Sequence, residues 1–383
     1  MNTDWQEIRL DDFIQFKNGK KRPPYTGEYP VYGGNGVLDY AGNYNYEKVV
    51  VIGRVGAYCG SVFFVPNKLW VSDNAIAAIN LESSDIQYDY YLLKNLKLNQ
   101  RHIGTGQPLL TQEILNGIMV PLPPLPIQRT IAATLSCLDD KIELNNRINA
   151  NLEAQAGAIF KSWFVDFEPF QGGEFVDSEL GQIPKGWQVG SFTSIVNVLG
   201  GGTPKTDNQT FWNGDIPFFT PKDSGNIFVV ETEKQISTDG LNKCNSKLYP
   251  VNTVFITARG TVGKIVFAGR NMAMSQTSYA LVGKEGYSQF FVYCLTQEIV
   301  NTLKNKANGA VFDAIVTRDF DTEIVIIPLS DTVKRFAEIV SPMFEQILLN
   351  TKQSSTLAAI RDILLPRLMS GEIEVTSKMS KEE

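Results

Sequence analysis

Residues Gln128–Val165 read QRTIAATLSCLDDKIELNNRINANLEAQAGAIFKSWFV. Within them Ile131, Leu135, Leu138, Ile142, Asn145, Asn149, Leu152, Ala156, Ile159 and Trp163 recur at alternating steps of four and three residues. Side chains at that spacing lie on one side of an α-helix and form the seam of a coiled coil. Asn145 and Asn149 interrupt the seam near its middle. A polar seam residue weakens packing but fixes register and partner choice. A continuous helix over this stretch would be roughly 55 Å long at about 1.5 Å per residue.

Working outward, the same spacing returns near the other end of the chain. Phe336, Val340, Met343, Ile347, Asn350, Ser354 and Leu357 repeat the pattern, again with a polar middle. Pro342 lies inside this run and is expected to kink or restart the helix, because proline cannot donate the ladder hydrogen bond. Pro366 and Gly371 mark its expected end. Neither helix can keep an apolar seam exposed to water. The simplest arrangement packs the two antiparallel.

The segments between the helices also come twice. Asp4-Trp5-Gln6 opens the first and Gly186-Trp187-Gln188 the second; Pro121-Leu122 and Pro328-Leu329 close them. Val49–Ile52 and Ser61–Val65 are strand-like runs around a turn with Gly53, Gly56 and Gly60, followed by a short helix at Tyr90–Leu98. Thr253–Ile256 and Lys264–Phe267 flank Arg259-Gly260-Thr261-Val262-Gly263, followed by a helix at Gln289–Lys304. Repeats set the reading of the whole chain. We therefore expect an α+β protein. Two similar mixed α/β domains (1–124 and 185–327) are separated by two long antiparallel coiled-coil helices with an internal two-fold repeat. The first helical region, 125–184, includes a polar, turn-rich connector from Gln171 to Pro184; the second is 328–383.

At 43% hydrophobic and 20% charged residues over 383 positions, the composition is that of a soluble globular chain with room for two or three domains. The start, Met1-Asn2-Thr3-Asp4, lacks the basic and apolar stretches of a secretory signal. No apolar run reaches the ~18–20 residues that cross a bilayer. Cys59, Cys137, Cys244 and Cys294 are scattered and make no Cys-x-x-Cys pair, as expected for idle thiols in a reducing compartment. A cytoplasmic location is expected. Net charge is −6, and residues 125–184, with 4 basic and 9 acidic side chains, hold most of it. Residues 1–124 carry 11 basic and 12 acidic side chains and residues 185–327 carry 13 and 12. Near-neutral domains neither exclude a nucleic-acid ligand nor argue for one, since a strong basic face is its usual footprint. If DNA is the ligand, a partner should supply many of the phosphate contacts.

Catalytic equipment is absent from the pattern. One histidine, His102, rules out a two-histidine metal site and leaves one candidate for a Ser-His-Asp relay. An exposed or structural role for it is the simpler reading. Gly19-Lys20, Gly263-Lys264 and Gly283-Lys284 lack the rest of a phosphate loop. Asp139-Asp140-Lys141 is the one acid-x-lysine arrangement and lies on the expected coiled coil, where a solvated helix face explains it. Gly200-Gly201-Gly202 precedes Thr203-Pro204, a loop and not a helix start. No cofactor or metal is expected on this chain, which reads as a recognition subunit.

Several residues suit DNA. Lys17, Asn18, Lys20, Lys21 and Arg22 cluster beside Pro23-Pro24-Tyr25. Such cations contact phosphates, and Arg or Lys also pairs with guanine edges; a solvated loop is the bland alternative. Arg54 and Arg259 are placed at equivalent points of the two glycine turns, either facing DNA or bracing the turn. The polar loops Thr105-Gly106-Gln107 and Asn308-Gly309-Ala310 form another pair, since Gln and Asn bond adenine bidentately. The candidate DNA-contacting set is Lys17, Asn18, Lys20, Lys21, Arg22, Arg54, Tyr58, Gln107, Thr203, Lys205, Lys222, Arg259, Lys264 and Asn308. The candidate seam and partner-docking set is Leu135, Leu138, Ile142, Asn145, Asn149, Leu152, Trp163, Phe336, Val340, Met343 and Ile347.

The run Pro121–Arg129, with Leu138–Asn145 and Phe160–Phe167, strongly resembles the central conserved region of type I restriction–modification specificity subunits. Leu365–Ile373 looks like their distal conserved end. Ile52–Ser61, Val71–Ala75 and Ala258–Gly263 look like their target-recognition signatures. The resemblance covers essentially the whole chain. It implies two target recognition domains that each read one half of a bipartite, asymmetric sequence in double-stranded DNA. It implies helices that measure the unread gap and dock two modification (methyltransferase) subunits. S-adenosylmethionine, ATP and Mg would belong to partner subunits, which can include two restriction subunits. Two rivals predict different features. A self-sufficient DNA methyltransferase or nuclease needs a cofactor motif or acid cluster, and a two-headed coiled-coil scaffold needs no DNA at all.

Overall fold

A computed structural model describes residues 5–104, 106–306 and 314–375, without the side chains of 303–306. The chain divides into two compact units. Unit 1 is Met1–Ile142 with Thr356–Glu383, and unit 2 is Glu143–Ser355.

In unit 1 the order is β1 (Gln6–Arg9), β2 (Ile14–Asn18), β3 (Tyr29–Gly33), β4 (Gly36–Ala41), β5 (Tyr46–Gly53), β6 (Val62–Val71), β7 (Ala75–Asn80), α1 (Ile86–Asn95), α2 (Gln112–Asn116) and β8 (Met119–Leu122). The last of these leads into α3 (Leu125–Phe164), whose second half belongs to unit 2. Six strands form one sheet in the order β2-β7-β5-β6-β3-β4, and β1 pairs antiparallel with β8. β5 is central, so both its faces are covered. Val50 and Ile52 point to a core shared with Tyr88, Leu92, Ile131, Leu135, Leu365 and Leu368, while Val49 and Val51 join a smaller cluster with Leu69, Val71 and Ala77 on the other face. α1 begins at Ile86 rather than Tyr90 because Asp85 caps it, accepting hydrogen bonds from the Gln87 and Tyr88 amides.

Unit 2 continues with the β9–β10 hairpin (Phe175–Ser178 and Gly181–Pro184), which gives the turn-rich connector regular structure. There follow β11 (Gln188–Ser191), α4 (Phe192–Ile195), β12 (Val196–Gly200), β13 (Ile216–Phe219), β14 (Phe228–Val229), β15 (Lys234–Ile236) and α5 (Thr238–Asn242). The remainder is β16 (Val254–Thr257), β17 (Ile265–Ala268), β18 (Ala273–Met274), β19 (Ser278–Gly283), α6 (Gln289–Lys306), α7 (Thr317–Thr322), β20 (Ile324–Ile327) and α8 (Ser330–Met369), whose last turns return to unit 1. The main sheet runs β12-β19-β16-β17-β14, with β15-β13-β18 beside it and β11 paired to β20. Its first four strands are antiparallel neighbours in the same sense as β2-β7-β5-β6 of unit 1.

Both long helices have 40 residues. α8 does not restart at Pro342, nor end at Pro366. Pro342 and Pro366 both stand on the exposed side of the helix. The carbonyls left without a partner there can be met by water, while buried neighbours hold the helix in place. Within unit 2, Asn145 of α3 reaches Gln353 and Ser354 of α8, and Phe160 and Phe164 meet Phe336, so partner numbers fall on α8 as they rise on α3. Each expected seam residue is buried or half-buried. The seam alone understates the packing, because Phe160, Phe164 and Phe344 lie off it and are also buried. These helices contact a sheet as well as each other, so the buried arc is wider than a two-helix stripe.

Candidate nucleic-acid interface

In unit 1, main-chain bonds gather five loop segments along one edge of the main sheet. The β2–β7 ladder ends where Asn18 faces Ile76. Beyond it the Gly19 amide donates to the Ala75 carbonyl (2.9 Å) and the Lys20 amide to the Val71 carbonyl (3.0 Å). A Cβ on Gly19 would sit 1.9 Å from the Ser72 carbonyl oxygen, which leaves room for glycine alone. The Ser72 amide donates to Tyr32 (2.9 Å), and the Ser61 hydroxyl donates to Gly34 (2.5 Å), which ties in the end of β3. The Arg54 amide donates to Asn74 (2.9 Å) and the Gly56 amide to Pro108 (3.0 Å). Loops of this kind, held by a rigid sheet, are where recognition residues usually reside.

The side chains on and near this edge differ in freedom. Lys17, Asn18, Lys20 and Lys21 are exposed. Arg22 is drawn aside by an ion pair with Asp39 of β4. Arg54 is half-buried; its Nε is shut off without a partner among the described residues and its Nη1 lies 3.5 Å from the Asp73 carbonyl. Tyr58 is 54% exposed. Gln107 is exposed in the loop after Gly104, while Thr105 lies outside the described residues. Behind the turn, Cys59 donates to the Arg54 carbonyl (3.3 Å), and burial pushes its thiol up, so it stays protonated.

Unit 2 builds a similar edge from different letters. The Gly202 amide donates to Met274 (3.0 Å) and the Ser275 amide to Phe219 (2.9 Å). A Cβ on Gly201 would lie 2.2 Å from the Ser275 carbonyl oxygen. The Ala258 amide donates to Thr277 (2.8 Å). Thr203 is half-buried, and Lys205 is exposed with its carbonyl accepting from the Trp212 indole (3.1 Å). Lys222 follows the end of β13 and lies 3.6 Å from the Glu233 carboxylate. Arg259 is exposed. Lys264 stands apart, lining a cleft with Glu153, Tyr293 and Gln297. Asn308 lies outside the described residues.

One expected equivalence is corrected. The Leu110 amide donates to the Arg54 carbonyl (2.9 Å), and the Ile315 amide donates to the Ala258 carbonyl (3.0 Å). With the Asn74 and Thr277 bonds, this makes Ala258 the counterpart of Arg54, and Arg259 that of Val55. Each arginine precedes a glycine of its turn, but Arg54 is the first residue beyond the strand end Gly53 and Arg259 the second beyond Thr257. The sequence reading also missed the paired cradles Gly19–Ser72 and Gly201–Ser275; the only shared letters were a glycine after one strand and a serine after another.

Asp139 is held by the Tyr91 hydroxyl (2.7 Å) and by Arg361 Nη1 (2.5 Å), so it serves packing of α1, α3 and α8 in unit 1 and does not stand on the expected solvated face, whereas Asp140 does. Among the described residues no cluster of three His, Cys, Asp or Glu side chains could hold a metal ion, and no helix is long and apolar enough to cross a membrane. All four cysteines are free.

Each unit is a mixed α/β fold with a stitched loop edge, and α3 and α8 contribute residues to both units. The chain belongs to the family described as the type I restriction modification DNA specificity domain, whose profile matches residues 2–154 and 184–359. It is 32% identical over 303 residues to the type I restriction enzyme MjaIX specificity subunit of Methanocaldococcus jannaschii, covering 76% of this chain and 69% of that one. It is 26% identical over 327 residues to the HindI specificity subunit of Haemophilus influenzae, covering 70% and 71%. A solved type I restriction–modification system S subunit from M. genitalium shares the fold, with a TM-score of 0.62 at 17% identity over 98% of both chains.

Proposed function

We propose that the chain reads a bipartite, asymmetric DNA sequence, one half with each loop edge, and docks modification subunits that carry the methyl-transfer chemistry. On this reading the two units are copies of one recognition module in a two-fold internal repeat, and α3 and α8 form an antiparallel coiled-coil pair. The candidate contacts are Lys17, Asn18, Lys20, Arg54, Tyr58 and Gln107 in the first half. Thr203, Lys205, Lys222 and Arg259 serve the second.

One observation carries the reading: a single main-chain bonding scheme recurs at both edges while the exposed side chains differ. Conserved framing with divergent side chains is what two readers of unlike sequences require, since phosphate contacts position and base contacts specify. S-adenosylmethionine, and any ATP or Mg, would be bound by partner subunits.

The test is an exchange of residues 1–124 for those of a relative with another target, followed by methylation mapping in cells that also express the modification subunits. One half-site should change and the other should persist. A change in both half-sites would end the modular reading.

A further inference from the structure

The geometry points to two chemically different readers: a neutral aromatic contact from Tyr58 in unit 1 and a cationic contact from Arg259 in unit 2. This rests on the proposal that the two edges face DNA, and it goes beyond it by assigning the readout of each turn.

The two turns close alike. The Gly53 amide donates to Ser61 (2.9 Å) and the Gly60 amide donates back to Gly53 (2.8 Å). In unit 2 the Thr257 amide donates to Lys264 (2.9 Å) and the Gly263 amide donates to Thr257 (2.9 Å). Between these anchors both chains pass through a left-handed glycine, Gly56 at φ 73° and Gly260 at φ 84°. Among the described residues a Cβ on either would meet nothing within 4 Å, so each turn is open on the side where that Cβ would stand.

What stands at each apex differs. In unit 1 the bracing position holds Arg54, whose guanidinium lies against the Asp73 carbonyl and is partly enclosed. The next position is Val55, and the extra length of the turn lifts out Ala57 and Tyr58. The Tyr58 backbone is fixed because its carbonyl accepts from the Ser61 amide (3.1 Å), and the Cys59 amide bonds Gly56 (3.0 Å). Its ring is therefore presented on a rigid support, and no side-chain partner holds it among the described residues. In unit 2 the bracing position is Ala258, which carries no charge. The cation stands one residue further out, at Arg259, exposed and without a side-chain partner among the described residues. The shorter turn offers no aromatic side chain in return.

A neutral phenol displaces no counterions. It packs on a sugar, a base face or a thymine methyl, and its hydroxyl can bond a base edge. An exposed guanidinium contacts a phosphate or the O6 and N7 of guanine, and each phosphate neutralised steepens the salt dependence of binding by about 0.9. Arg54 remains a candidate contact, but its half-buried guanidinium, 3.5 Å from the Asp73 carbonyl, is less free than the Tyr58 ring to follow a base.

The experiment uses the full chain assembled with its modification subunits. Bound duplexes are selected from a pool randomised across the target, and affinity is measured against salt for wild type, Tyr58→Ala, Tyr58→Phe, Arg259→Ala and Arg259→Lys. Tyr58→Ala should flatten preference at positions of one half-site by about tenfold and leave the salt slope unchanged, with Tyr58→Phe retaining most of the preference. Arg259→Ala should leave that half-site intact, weaken binding and reduce the slope by about one. Arg259→Lys should restore the slope. The assignment is overturned if Tyr58→Ala shifts the slope, if Arg259→Ala alters the Tyr58 half-site, or if neither variant changes a wild type that is itself selective. A wild-type complex that selects no bipartite sequence would instead overturn the underlying reading, and that result is visible before any variant is made.

Discussion

Asn145 gives a direct test of why polar residues interrupt the helix seam. The side chain is fully buried. Its Nδ2 donates to Gln353 (2.9 Å) and Ser354 (3.2 Å), with the Asn350 carbonyl 3.4 Å away, and its Oδ1 has no partner among the described residues. An amide has two N–H groups, so two of these three bonds form well at once. They contribute about 2 kcal/mol together, at roughly 1 kcal/mol net for each. The bare, desolvated carbonyl costs about 1–3 kcal/mol. The two effects nearly cancel. Asn145→Leu should therefore change the stability of unit 2 by less than about 1 kcal/mol, since Gln353 is exposed and its freed group can return to water. Asn145→Asp should cost about 3–5 kcal/mol at neutral pH, because it buries a charge, removes both N–H donors and sets a carboxylate against the Asn350 carbonyl. Urea denaturation followed by the fluorescence of Trp163 and Trp187, both within unit 2, reads the difference. A loss above about 2 kcal/mol in Asn145→Leu at unchanged m-value would refute the cancellation. An Asp variant as stable as wild type would show that water reaches the seam. If the layer's role is register, Asn145→Leu should broaden the distance distribution between spin labels at Asn151 and Glu345, both exposed in unit 2, with little loss of stability.

Other outcomes follow from individual contacts. Gly19→Ala should destabilise unit 1 by about 3 kcal/mol, seen as a lower urea midpoint, since its Cβ would overlap the Ser72 carbonyl at 1.9 Å. Phe336→Ala should cost unit 2 about 3–5 kcal/mol, or roughly 10 °C in melting temperature, because this fully buried ring meets Phe164 at 5.2 Å and Phe160 at 5.9 Å. Asp89 is 2% exposed, and burial pushes its carboxyl up to about 7 against the bonds from Ser84 and Asn80. Its folded state binds the proton more tightly than the unfolded state, so its contribution to stability is complete below about pH 4 and is lost as pH rises through about 7. The stability gap between wild type and Asp89→Asn should shift by up to about 4 kcal/mol in favour of the variant between pH 4 and 8, and a constant gap would refute the assignment. Finally, the isolated chain should bind DNA with a shallower salt slope than the chain with modification subunits, as measured by fluorescence anisotropy across a salt series.

The two helices were legible because a helical period over so many residues has few other readings. Their ends were less so. Proline at 342 and 366 argues for breaks by local chemistry, yet both prolines face water and tertiary burial of Phe336, Val340, Phe344, Leu365 and Leu368 carries the helix past them. The strands around each glycine turn were legible as β-branched runs, and the recurrence of the two halves was visible in a few shared letters. Register was not. Arg54 and Arg259 each precede a glycine of their turn, but the ladder places Arg54 one residue and Arg259 two residues beyond matched strand ends, so the match to Arg54 is Ala258. Sequence spacing counts residues, whereas a ladder counts hydrogen bonds, and the two diverge wherever loop lengths differ.

That divergence bears on how, on the proposed reading, such an edge would change its target. The main-chain bonds at Gly19, Ser72 and Arg54, and those at Gly201, Ser275 and Ala258, hold the loop frame through backbone atoms. Side chains at the apices contribute little to that frame, so their identity and even the turn length can vary without loss of the core. The near-neutral charge of both segments fits the same logic. A strongly basic edge would bind any duplex, and the affinity of the specific site would be diluted by competition from every other sequence. On the proposed reading, near-neutral segments would leave discrimination to a small number of rigidly presented groups, and the sequence-independent part of the affinity would fall to the modification subunits.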